Sequence, residues 1–144
     1  MRKLVAAPFV AAVAALVAAG GSTASPAVTR WTASLSPSQV APKQASKNDK
    51  ASGSFSGTAQ GYTLKFKLAF DHLSGPATGA HIGYGKKGKP GNVSVALCAP
   101  CPNPTVNMTN INPSLLSAFK DGLLYVEIDT KKNPNGEVRG QLGK

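Results

Sequence analysis

Few residues in this chain can do chemistry. Among 144 residues there are six Asp and Glu, two His, two Cys and one Trp, against 16 Lys and Arg. No Gly-x-Ser-x-Gly elbow, His-Glu-x-x-His pair or Gly-x-x-x-x-Gly-Lys-Ser/Thr loop occurs. Their absence removes the usual signatures of a serine hydrolase, a zinc protease and a phosphate loop. No Asp-x-Asp-x-Asp-Gly run offers a calcium loop. A single Cys pair, with no two further ligands beside it, falls short of a structural zinc site. No repeat recurs at solenoid or propeller periods. The chain is expected not to be an enzyme and to need no cofactor.

Long apolar runs are also missing, except at the start. Arg2 and Lys3 precede an Ala-rich stretch from Leu4 to Ala19, and Ser22-Thr-Ala24 supplies small residues before Ser25. Residues 1–24 therefore read as a signal peptide. The stretch is short for a membrane span and contains Pro8, so a retained anchor is the weaker alternative. No Cys follows it, and a lipid-modified N-terminus is not expected. What remains is a leader over 25–29 and one domain over 30–144, long enough for a core. The protein is then secreted or periplasmic, with no membrane span after cleavage. Without Arg2 and Lys3, the formal net charge of +10 becomes +8. A basic exported domain suits anionic surfaces such as phospholipid heads, wall polymers and acidic glycans. Nucleic acid is a poor partner for an exported chain whose positive charges are scattered.

Period-two alternation dominates the rest. Tyr62, Leu64, Phe66, Leu68 and Phe70 share one face, and Thr63, Lys65, Lys67 and Asp71 the other. That is a strand with one buried and one wet side. Weaker strand signals cover 30–35, 52–59, 77–84 and 92–97, with Val93, Val95 and Leu97 inward. The loops are 36–50, 85–91 and 99–104. Tyr125–Thr130 and Glu137–Leu142 flank Asn133-Pro134-Asn135-Gly136 and form a hairpin. Val126, Ile128 and Val138 face in; Glu127, Asp129, Glu137 and Arg139 face out. One helix is expected, capped by Asn112, started by Pro113, packed through Leu115, Leu116 and Phe119, and ended at Gly122. About seven strands with Gly and Pro turns give an all-β fold. It is an antiparallel β-sandwich or open barrel with one short connecting helix.

Two stretches resemble the CHRD domain family, known from chordin and from many secreted microbial proteins. Phe70-Asp-His-Leu-Ser-Gly-Pro-Ala-Thr-Gly-Ala-His-Ile82 is similar to the family's apolar strand, Leu-Ser-Gly and Ala-His-Ile-His. Leu116 to Leu142 is similar to its helix ending in Gly, then Tyr-Val-Asn-Val-His-Thr, then Pro-x-Gly-Glu-Ile-Arg-Gly-Gln-Leu. The resemblance implies a β-rich extracellular domain, linked in chordin-like proteins to binding growth-factor partners. This chain departs from the pattern at Gly83, Asp129 and Glu127, where the family has His, His and Asn. Of three His positions that could converge on a metal, His81 alone remains.

Four groups of residues carry candidate chemistry. His81 is either a ligand or acid–base residue, or a histidine bonded to a neighbouring strand. Glu127 and Asp129 lie on the same hairpin face as Glu137 and Arg139. Parity sets Arg139 opposite Glu127 or Asp129, as a cross-strand ion pair. The same acids with His81 are alternatively a seat for a hard cation. Cys98-Ala-Pro-Cys101 reads as a disulfide in an exported chain, with a redox or metal role as the alternative. Lys86, Lys87 and Lys89 form a basic tip suited to anion contact.

The leading expectation is a non-catalytic binding or structural module at the envelope or outside the cell. Its partner would be an extracellular protein or an anionic envelope polymer. The alternative is a copper- or zinc-binding or redox protein loosely similar to superoxide dismutases.

Overall fold

The computed structural model describes residues 20–43 and 48–144. Most of the expected signal peptide, residues 1–19, lies outside the described residues. Among the described residues, eight strands build two four-stranded antiparallel sheets. The first sheet contains β1 (Val28–Leu35), β2 (Ser52–Gln60), β3 (Thr63–Asp71) and β6 (Thr105–Asn110), in that order across it. The second contains β4 (Ala77–Tyr84), β5 (Asn92–Cys98), β7 (Leu124–Thr130) and β8 (Val138–Gln141), ordered β5-β4-β7-β8. A 3-10 turn over Pro37–Gln39 follows β1, and the helix α1 (Pro113–Lys120) links β6 to β7.

The alternation of β3 works as its pattern requires. Leu64, Phe66 and Leu68 are buried, and Lys65 and Lys67 are exposed. They meet Trp31, Leu35 and Phe55 of the same sheet and Ile82, Leu124, Val126, Ile128 and Val138 of the other in one core. Removing this much apolar surface from water is the main term holding the layers together. Small residues let β2 sit between β1 and β3: Phe55 and Ala59 fill its buried face, while Ser54, Ser56 and Thr58 point out. The helix caps one end of the sandwich. Asn112 Oδ1 accepts from the Leu115 N–H at 2.8 Å. Phe119 stacks on Trp31 with centroids 4.4 Å apart.

The sandwich is stitched along one edge. Thr32 and Gly143 exchange backbone hydrogen bonds of 2.8 and 2.9 Å, and Ser36 and Arg139 exchange bonds of 3.0 and 3.1 Å. These bonds join β1 to the C-terminal ribbon across the two sheets.

Several expectations need correction. Tyr62 does not join the buried face. It lies in the Gly61–Tyr62 turn and is exposed, because Gly61 with φ of 58° closes a tight connection between Gln60 and Thr63. Residues 105–110, unassigned from sequence, are the edge strand β6. Its apolar Val106 and Met108 point to solvent while Thr105 points in, so hydropathy alternation is inverted there. Val93 is exposed and Val95 half-buried, leaving Leu97 alone of that trio in the core. Register shifts between Ala80/His81 and Ile82/Gly83 break strict parity along the β4–β5 pair.

Candidate ligand site

The expected hairpin forms β7 and β8, with Arg139 directly opposite Glu127. Val126, Ile128 and Val138 are wholly buried between the sheets. The other face was expected to look into water, and it does not. Glu127 is 6% exposed, Glu137 2% and Arg139 1%. The reason is non-local: the 85–91 loop folds back over this face. Arg139 Nη2 donates to the Lys86 carbonyl at 3.0 Å, and Gln141 Nε2 donates to the Gly85 carbonyl at 2.8 Å. The close approach demands glycine, since a Cβ at Gly91 would strike both the Tyr84 carbonyl and the Tyr125 ring.

No Arg139–carboxylate ion pair forms among the described residues. The guanidinium lies over the Tyr125 ring instead, 3.6 Å from its centroid. Such stacking suits a planar cation held out of water. Burial lowers the Arg139 pKa, while Tyr125 and Glu127 act to raise it. Burial also raises the Tyr125 hydroxyl; Glu127 and Asp129 add to that shift and Arg139 opposes it.

Glu137 is a structural carboxylate. It accepts from the Ser74 N–H at 2.9 Å and from Asn133 Nδ2 at 2.7 Å. It thereby ties the loop before β4 to the turn before β8. Gly136, with φ of 112°, completes that turn, and a side chain there would run into the Glu127 carboxylate.

His81, Glu127 and Asp129 converge. His81 faces Glu127 across the β4–β7 ladder, and Asp129 stands opposite Gly79, which offers no side chain to screen it. His81 Nε2 lies 3.6 Å from Glu127 Oε1, and Nδ1 lies 3.6 Å from Asp129 Oδ2. One donor atom from each of the three falls within 4.8 Å of the others, so they can hold a metal ion. Glu127 Oε2 and Asp129 Oδ1 are buried and find no hydrogen-bond partner among the described residues. Burial pushes the Glu127 pKa up to about 7; the Asp129 charge adds to this, and His81 and Arg139 pull it back. The three residues line a cleft of about 320 Å³ whose other walls include Pro42, Pro90, Val93 and Pro134. Tyr125 closes one side, with its ring edge-on to His81 at 6.1 Å.

Position 83 offers no fourth ligand. A Cβ on Gly83 would overlap the Tyr125 ring. The run Gly83-x-Gly85-x-x-Gly88 has the bare spacing of a dinucleotide loop, but it joins the antiparallel strands β4 and β5 and no helix follows.

Cys98 and Cys101 form a disulfide that pins the turn between β5 and β6. The pair follows a strand rather than opening a helix, unlike a thioredoxin-type redox site. Such a bond fits an oxidising compartment. Lys86, Lys87 and Lys89 are all exposed on the 85–91 loop, turned by a bond from the Lys89 N–H to the Lys86 carbonyl at 3.0 Å. Among the described residues no helix is long and apolar enough to cross a membrane.

No curated protein and no solved structure matches the chain. The family model described as CHRD domain matches residues 31–142, from the first buried strand to the end of the closing ribbon. The chain therefore belongs to the CHRD domain family.

Proposed function

We propose that the protein is an exported, non-catalytic CHRD module that docks on an anionic envelope polymer. One observation carries the reading: folding hides half the negative charge and none of the described lysines. Glu127 and Glu137 are buried, and Asp129 has a side chain only 21% exposed. Asp49, Asp71 and Asp121 are the carboxylates left exposed, whereas every described lysine is exposed. The surface is thus more positive than composition alone implies, and a polyanion meets little repulsion anywhere on it. The leading edge is the exposed trio of Lys86, Lys87 and Lys89 on the 85–91 loop, whose base is anchored by Arg139 and Gln141.

The test is retention on immobilised anionic wall polymer across a salt series, with a neutral polymer as control. Retention should fall steeply between low and moderate salt, since exposed charge contacts are screened. Changing Lys86, Lys87 and Lys89 together to Gln should shift elution to lower salt. Unchanged elution of that triple variant overturns the assignment to this loop, and equal retention on the neutral polymer overturns the polyanion reading.

A further inference from the structure

The geometry points to a divalent transition-metal site in the cleft, with His81, Glu127 and Asp129 as its ligands. This goes beyond the basic-surface reading and stands independently of it.

Three observations carry it. First, the groups crowd together at ion-pair distance without hydrogen-bonding one another. Both imidazole nitrogens stand 3.6 Å from a carboxylate oxygen, beyond hydrogen-bond length. The three donor atoms lie within 4.8 Å of one another. A metal with bonds of about 2.1 Å places tetrahedral ligand atoms about 3.4 Å apart. A small inward rotation of side chains closes the difference. Second, Glu127 is more than nine-tenths buried, and its Oε2 has no partner among the described residues. Buried carboxylate oxygens are rarely left so, because desolvation goes uncompensated. Asp129 Oδ1 repeats the pattern two residues along the same face. Third, the site opens on the cleft, which admits an ion and leaves a fourth position for water.

The donor set selects the ion class. One imidazole and two carboxylates suit zinc and its first-row neighbours. Calcium prefers six to eight oxygens, more than these three side chains provide. Two carboxylates balance the charge of a divalent ion, so the loaded site can be neutral where it is buried. Glu127 and Asp129 belong to this chain's departures from the family pattern, so the ligand set is its own.

The experiment is calorimetric titration of the chelator-stripped protein with zinc chloride, and in parallel with calcium chloride. One zinc ion per chain is expected, with calcium at least tenfold weaker. His81→Ala and Asp129→Asn should each weaken zinc by about 100-fold or more. His72→Ala should change nothing, because His72 is exposed, its ring stands 3.3 Å from Asp71, and it does not line the cleft. Circular dichroism checks that each variant folds. Should a variant not fold, the wild type decides alone: zinc must move the imidazole NMR signals of His81 and leave those of His72 in place. Binding that survives His81→Ala, or movement of the His72 signals alone, means an adventitious ion only and overturns the site, and so does an absence of binding.

Discussion

Replacing Glu127 by Gln should change how stability depends on pH. The carboxyl titrates near 4.5 in an unfolded chain and about 7 in the fold, chiefly because the sheet and the overlying loop remove it from water. Between those values the folded state holds a proton that the unfolded state has released. Stability from this group is therefore complete below pH 4.5, declines as pH rises, and is gone above about pH 7. A shift of this size corresponds to at most about 3 kcal/mol, reduced by whatever water in the cleft screens the carboxylate. Gln keeps the shape and the neutral state, so the decline should vanish in Glu127→Gln. Urea unfolding of both proteins at half-unit steps from pH 4 to 8, with chelator throughout, isolates the term as the difference between two curves. The wild type should match the variant in acid and fall behind it by up to about 3 kcal/mol at pH 8. A difference that stays constant across the range would refute the reasoning, since a fixed offset reports packing and not ionisation.

Two further substitutions test the packing around the site. Gly83→Ala should destabilise by about 1–3 kcal/mol, because the new methyl group overlaps the Tyr125 ring and the core cannot absorb it without strain; a thermal shift within error of wild type counts against that packing. Glu137→Ala strips the Ser74 N–H and the Asn133 amide of their acceptor, at about 3 kcal/mol. It should also speed tryptic cleavage after Lys131 and Lys132, which are exposed beside the turn, and unchanged digestion would remove the proposed tie.

Alternation made β3 legible because each apolar residue there serves one core and each lysine one solvent face. The helix was legible from its ends, where Asn112, Pro113 and Gly122 each answer a backbone requirement. The hairpin was legible from its turn and its buried valines. β6 was not, because an edge strand can turn Val106 and Met108 to solvent without uncovering the core. The site was half legible. Parity put His81, Glu127 and Asp129 opposite the core, and the register brings them together. Their burial could not be read, because it comes largely from segments distant in sequence, around Pro42 and Pro90. A charged residue on a strand normally reads as wet, and only a loop folding back changes that.

The bonds between Thr32 and Gly143 span 111 positions. Contacts of such separation form slowly, since most of the chain must be gathered before they reward it. A chain emerging N-terminus first therefore keeps the margin of β1 unzipped until its last ribbon arrives. Cutting back the final residues should thus act less like trimming a tail and more like removing the clasp that shuts the two layers.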